Sequence, residues 1–142
     1  MTHAMTLAAV LLAAGPWLLA AARHQTPEAS FAQLRARGHG LDLYIEHCAT
    51  CHGRSGRGDG PQAGDLTARP SDLTRLAERN GGTFPAGAVT RAIDGGDRAH
   101  RDSEMPRWGD VFRSGSGDAA AKERLEALTL YVEFMQARPP RR

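Results

Sequence analysis

Residues 48–52 read Cys-Ala-Thr-Cys-His, two thiols separated by two residues and followed directly by an imidazole. Thiols at this spacing can form thioether bonds with the vinyl groups of a haem, and the histidine after them can reach the iron. Because the thiols hold one edge of the porphyrin, the next side chain lies under the ring. The motif predicts one covalent haem c, attached through Cys48 and Cys51, with His52 as the proximal iron ligand.

The same motif has two other interpretations. A C-x-x-C pair can be a dithiol redox centre or half of a zinc site. A structural zinc ion takes four protein ligands, and the chain has no second pair of cysteines. A dithiol motif is expected to open a helix after a strand, whereas the residues before Cys48 have a helical pattern. Haem attachment is therefore the favoured interpretation.

The sixth iron position is assigned to Met105. Beyond the N-terminal apolar run the chain has two methionines, Met105 and Met135. Met135 falls on the apolar stripe of the last predicted helix and is interpreted as core. Met105 lies in a polar loop before Pro106, which favours an extended backbone from which a thioether can reach the distal face. His/Met ligation raises the reduction potential of a haem relative to ligation by two histidines.

Other arrangements at the sixth position remain alternatives. His100 is the main rival of Met105, whereas His39 and His47 are interpreted as surface or local hydrogen-bonding residues. An open sixth position would instead suit a gas sensor or a peroxidase-like catalyst. No Ser-His-Asp set, paired carboxylates or H-E-x-x-H motif offers an independent catalytic centre.

Composition limits the possible partners and the number of domains. The chain has 142 residues, of which 41% are hydrophobic, and this size suits one domain. The formal net charge is +2, a near balance that argues against a nucleic-acid partner. Internal repeats are absent, which favours one haem domain rather than two.

The N-terminal segment is interpreted as a targeting sequence. No residue from Ala4 to Ala22 is charged, Gly15-Pro16 interrupts the apolar run, and Ala20 to Ala22 suit a signal peptidase. We expect residues 1–22 to be a secretory signal, with an uncleaved membrane anchor as the alternative. Both place the functional domain outside the cytoplasm, in the periplasm. Residues 23–38 would be a linker or short helix, 39–138 the haem domain and 139–142 a basic tail.

The remaining pattern predicts an all-α fold, since no stretch shows sustained alternation of period two. Pro27 could start a helix that Gly38 and Gly40 interrupt, and Leu41, Tyr44, Ile45 and Cys48 form one helical face that ends at the attachment motif. Three further helices are expected over residues 71–79, 83–93 and 118–138, the first capped by Ser71 or Asp72 and the last by Asp118. Polar loops would cover residues 53–61 and 94–106.

Several segments together resemble the class I c-type cytochromes, in particular the bacterial periplasmic branch. They are Cys48–His52 with Gly53, Gly58-Asp-Gly-Pro61, Pro70-Ser-Asp-Leu-Thr74 and Met105-Pro-Arg-Trp108, and the likeness spans roughly residues 40–135. The resemblance implies a cytochrome c-like fold of about four to five short helices around one haem. It also implies that a first helix carrying Tyr44 crosses the C-terminal helix near Leu128 and Tyr131. In that family a proline carbonyl holds the ring N–H of the proximal histidine, and Pro61 and Pro70 are the candidates.

The function expected from these observations is one-electron transfer in a periplasmic or respiratory redox chain, by a carrier that is not itself an enzyme. An electron-transfer subunit of a larger dehydrogenase or reductase is the alternative. Redox proteins are the expected partners, and Arg54 and Arg57, which follow the attachment site, could border the exposed haem edge and steer an acidic one. The candidates for the apolar haem pocket are Tyr44, Phe84, Val89, Ile93, Trp108 and Leu128.

Overall fold

The structure, a computed structural model, describes residues 27–96 and 104–136. In these two ranges all regular structure is helical, as predicted, with five α-helices, one turn of 3-10 helix and no strand. The elements are α1 Pro27–His47, α2 Ala49–His52, the 3-10 turn Leu73–Arg75, α3 Leu76–Arg79, α4 Ala86–Asp94 and α5 Trp108–Phe134. The predictions for the leader over 1–22, for His100 and for the tail over 139–142 concern residues outside these ranges.

Helix α1 begins at Pro27, as the sequence predicted, but the predicted interruption at Gly38 and Gly40 is wrong. The helix continues through both glycines to His47, so the expected boundary between residues 38 and 39 lies inside it. Glycine in a helix interior costs about 1 kcal/mol relative to alanine. At Gly40 the close packing of α1 against α5 offsets this cost. The two helices approach so closely that a Cβ there would collide with the Ala127 carbonyl and with Tyr131 Cβ.

The crossing of α1 and α5 forms the centre of the core. Tyr44 and Leu128 are completely buried, and the rings of Tyr44 and Tyr131 lie 5.2 Å apart. The first helix therefore crosses the C-terminal helix through Tyr44, as the family resemblance implied. Helix α4 also packs against α5, and its residues Val89 and Ile93 are buried.

Helix α5 is longer than predicted and is broken once. Gly117 has φ 79° and ψ 170°, which is not helical, so a second helical part starts at Asp118, the predicted first residue. Its N-cap position is therefore occupied by Gly117 and not by the predicted Asp118. The preceding part, over residues 108–116, was not predicted. It is held by Phe112, which is 1% exposed, and by Gly109, which packs directly against Asp94. The helix ends at Phe134, earlier than the predicted Arg138, which is outside the described ranges.

Both short helical segments before α5 start later than predicted, and the first has the predicted cap at Asp72. The Asp72 carboxylate accepts a hydrogen bond from the Thr74 amide at 2.9 Å and begins a 3-10 turn at Leu73, and an α-helix follows only from Leu76. Helix α4 starts at Ala86 rather than Thr83, because Pro85 stands at its N-cap. It ends at Asp94, one residue beyond the predicted end, and Gly95 follows in the left-handed conformation.

Among the helices within residues 27–96 and 104–136, none combines the length and the apolar character that crossing a membrane requires.

Candidate functional site

The attachment motif lies at the C-terminal end of α1, as the sequence predicted. The Cys48 amide donates to the Tyr44 carbonyl at 2.9 Å and so continues the helix, and the His52 amide donates to the Cys48 carbonyl at 2.9 Å. Both cysteines are free thiols, with Cys48 buried and Cys51 partly exposed. Burial, together with the neighbouring Cys51, raises the pKa of the Cys48 thiol to about 12, so that this thiol is neutral at pH 7.

The glycine-rich loop after the motif folds back onto it. The amides of Gly58, Gly60 and Gln62 donate to the carbonyls of His52, Cys51 and Thr50 at 2.8, 3.1 and 3.0 Å. Gly58 has φ 72°, and a Cβ there would collide with the Pro70 carbonyl. The loop thus fixes the backbone of the motif on one side and the segment around Pro70 on the other.

The predicted site residues surround one cavity of about 590 Å³. Its wall includes Cys48, Cys51, His52 and Met105, the four residues that the sequence assigned to attachment and ligation. Of the six candidates for the apolar pocket, five line this cavity. The exception is Phe84, which is partly buried and packs against the core elsewhere.

Residues that the sequence analysis did not assign supply much of the remaining wall. They come from the segment between the glycine-rich loop and α3, and from α4 and α5. The apolar ones are Leu66, Ala68, Leu73, Leu76, Pro85, Ala88, Ala92 and Val132. Those in predicted helices, such as Leu73 with Leu76 and Val132 with Leu128, had a helical spacing that could have suggested an apolar face.

The ring of His52 is oriented by Ser71. Nδ1 of His52 lies 3.2 Å from the Ser71 carbonyl oxygen, which can accept its proton. A proton on Nδ1 leaves the lone pair on Nε2, the form in which an imidazole binds a metal. The expected proline acceptor is therefore replaced by a backbone carbonyl one residue after Pro70. Sequence could not locate it, since any carbonyl of this segment has the same chemistry.

Met105 and Trp108 reach the cavity from the segment that leads into α5. Met105 is partly buried, and Trp108 is the first residue of the helix. His47, interpreted as a surface or local hydrogen-bonding residue, does lie beside Glu46, with Nε2 and Oε1 3.7 Å apart, but the surface interpretation needs correction. Its side chain is 20% exposed, lines the cavity and packs against the rings of Trp108 and Phe112, at centroid distances of 4.8 and 5.4 Å.

Four other residues from the sequence analysis lie away from the cavity wall. His39, Arg54 and Arg57 are exposed. Met135 packs against the core, where its methyl group meets the backbone of Gly56, in agreement with its interpretation as core.

The donor set fits a covalently held iron macrocycle. Two thiols, an imidazole and a thioether meet in a cavity with mainly aliphatic and aromatic walls, which suits the apolar faces of a porphyrin. A zinc site gains no support from the described part of the chain, where no group of three or more His, Cys, Asp or Glu side chains could hold a metal ion. A strand before the motif, which a dithiol centre would need, is also absent there, because α1 occupies that position.

Comparison with known proteins gives one match. A family model described as Cytochrome c matches residues 39–133, about two thirds of the chain. No curated protein and no solved structure matches significantly.

Proposed function

Because the chain belongs to the cytochrome c family, whose members bind haem c covalently and transfer electrons, we propose that it is a one-electron carrier with one haem c and His/Met ligation. One attachment motif in the sequence supports a single haem. We further propose that the protein is exported and works in a periplasmic or respiratory redox chain, between redox-protein partners, without catalysing a reaction of its own.

Four side chains would hold the cofactor. Cys48 and Cys51 would form the thioether bonds, while His52 and Met105 would be the two iron ligands from the protein. When bound, haem c supplies an iron that changes between the ferric and ferrous states by one electron. The observation that carries this proposal is that all four side chains, although spread from residue 48 to residue 105, line the same cavity.

The protein's own residues have three tasks in this proposal. The Ser71 carbonyl holds the Nδ1 proton of His52, which fixes the ring and makes Nε2 a better donor. The apolar walls from α4 and α5 exclude water, which keeps the change in solvation on electron transfer small. Met105 provides a neutral sulfur, which favours the ferrous state more than a second imidazole does.

The test compares Met105→Ala with Met135→Leu in matured protein. Met105→Ala should abolish the far-red charge-transfer band between thioether and ferric iron, lower the reduction potential and let carbon monoxide bind to the ferrous form. Met135→Leu replaces a methionine in the core and should alter none of these properties. If Met105→Ala keeps the band and the potential, Met105 is not the ligand. If mature protein shows no haem stain on a denaturing gel, covalent attachment itself is refuted.

An exposed apolar surface favours a second candidate, a haem c subunit of a larger oxidoreductase. Phe31 and Leu34 on α1 are 63% and 66% exposed, and Phe134 at the end of α5 is 63% exposed. Exposed apolar groups of this size are typical of protein contacts. Sedimentation of the protein released from its native envelope distinguishes the two candidates. A free carrier sediments as a single chain of at most 15.2 kDa with its haem, whereas a subunit sediments in a stable larger complex.

A further inference from the structure

The ligand segment around Met105 is held to the opposite side of the cavity by one polar contact. Oε2 of Glu104 accepts a hydrogen bond from the backbone amide of Thr67 at 2.7 Å, between residues 37 apart in sequence. Glu104 and Thr67 both line the cavity. The contact therefore joins two walls that come from different parts of the chain.

Neither of these walls is made of regular secondary structure near the contact. Residues 66–72 connect the glycine-rich loop to the 3-10 turn, and residues 104–107 precede α5. On its C-terminal side Met105 is followed by Pro106, which limits the backbone, and by the start of α5 at Trp108. Among the hydrogen bonds within the described ranges, the Thr67–Glu104 bond is the one that ties residues 104–106 to another segment.

We propose that Glu104 is a positioning residue for Met105, acting through the Thr67 amide to keep the thioether over the cavity. This inference rests on the proposed function, in which Met105 is an iron ligand. A thioether is a weak donor and is readily displaced from iron by stronger ligands. The stability of its bond to iron therefore depends on how tightly the protein restricts the position of the sulfur. A charge-assisted hydrogen bond next to the ligand supplies such a restriction.

The experiment measures imidazole binding to the ferric protein, because imidazole must displace the thioether. Glu104→Ala removes the acceptor and should lower the Kd for imidazole about threefold to tenfold, the change expected for one hydrogen bond. Glu104→Gln keeps an acceptor oxygen without the charge and should bind imidazole with a Kd between those of the wild type and of Glu104→Ala. Both variants lose the same negative charge, so the difference between them reports the hydrogen bond alone.

Two controls separate this inference from the proposed function and from a general loss of stability. Glu126→Ala removes an exposed carboxylate on α5, paired with Lys122, and should leave the Kd unchanged. If Glu104→Ala and Glu104→Gln bind imidazole equally, while Met105→Ala loses the far-red band, the positioning role is refuted and the ligand assignment stands. If Met105→Ala leaves both the band and the Kd unchanged, the ligand assignment fails and the positioning role fails with it.

Discussion

Tyr44 connects the helix before the attachment motif with the residue that follows it. Its hydroxyl donates a hydrogen bond to the Gly53 carbonyl at 2.8 Å, and its ring is completely buried. Burial, together with the nearby Cys48, raises the pKa of Tyr44 well above its usual value, so the phenol remains a neutral donor at any physiological pH. A single side chain thereby fixes the turn that carries His52.

Replacing Tyr44 by phenylalanine should destabilise the protein by about 1–3 kcal/mol, because the buried Gly53 carbonyl loses its partner. Tyr131→Phe is the matched control, since that ring is only partly buried. Guanidinium unfolding of the haem-loaded protein, followed by far-ultraviolet circular dichroism, gives both free energies. Equal effects of the two substitutions would mean that the Tyr44 hydroxyl contributes little.

For single residues, the sequence predicts those chemical roles that depend on the type of a side chain and on its short spacing from other side chains. Cysteine, histidine and methionine are scarce enough in this chain for their roles to be assigned. Backbone partners cannot be identified in this way, because each residue carries the same carbonyl and, proline apart, the same amide. The Ser71 carbonyl and the Thr67 amide are therefore recognised only in the structure.

At the scale of the helices, the contact of α1 with α5 depends on the absence of a side chain at Gly40. The backbone of α1 at Gly40 approaches Ala127 and Tyr131 so closely that no Cβ fits there. At Gly38, two residues earlier, a Cβ would meet nothing within 4 Å. The two glycines look alike in sequence, yet only Gly40 lies at a helix crossing.

Alanine at these two positions should have opposite effects. Gly40→Ala forces the helices apart and should lower the free energy of unfolding by about 1–3 kcal/mol, as overpacking does. Gly38→Ala should raise it by about 0.5–1 kcal/mol, because alanine favours the helix and the site is open. Thermal unfolding of the two variants gives the comparison. A Gly40→Ala protein as stable as the wild type would show that the helices can adjust at the crossing.

The 3-10 turn before α3 depends on the ionised side chain of Asp72. The Thr74 hydroxyl donates to this carboxylate at 2.6 Å, and that bond is the main reason why the pKa of Asp72 is below its usual value. The Thr74 amide and the nearby Arg79 and Arg75 act in the same direction, against the opposing effect of burial. A carboxyl with a lowered pKa in the folded state stabilises it above the unfolded pKa, and this stabilisation is lost as pH falls through the folded value.

Asp72→Ala should therefore cost about 0.5–2 kcal/mol at pH 6, the usual value of an N-cap. The difference from wild type should begin to shrink as the pH falls below the unfolded-state pKa of about 3.9, and it should vanish below the lowered pKa of the folded state. Denaturant unfolding at several pH values measures this difference. Asp65→Ala, on an exposed loop position, serves as the control and should show a small difference at every pH. A constant cost for Asp72→Ala would contradict the role of its charge.

In the molecule as a whole, the packed helices α1, α4 and α5 form a frame, and the segments that connect the helices form much of the cavity wall. Helix α5 contacts both α1 and α4, whereas residues 66–72 and 104–107 meet across the cavity. The Gln136 side chain links the frame to the segment before α4, since it accepts from the Ala77 amide at 2.9 Å and donates to the Leu73 carbonyl at 2.8 Å. Residues 66–72, by contrast, have no regular secondary structure, and most of them line the cavity.

Removal of the haem should therefore disorder the walls. In a Cys48→Ala/Cys51→Ala variant the haem is no longer covalently held and can be extracted with acid. After return to neutral pH we expect reduced helical circular dichroism and rapid proteolysis within residues 66–72. Wild-type protein given the same treatment keeps its thioether-bound haem and should recover both signals. Full recovery of the extracted variant would show that the cavity is stable by itself.

The amino-acid sequence was sufficient to predict the helical fold, the attachment motif and the choice of Met105 over Met135 as candidate ligand. These features depend on local spacing, on helical periodicity and on the scarcity of the residue types involved. Only the folded chain showed that α1 continues through Gly40, that His47 packs against Trp108 and that Ser71 and Thr67 supply polar contacts of the site. Each of these features depends on contacts between segments that are far apart in the chain. The energies of such contacts cannot be inferred from local sequence patterns.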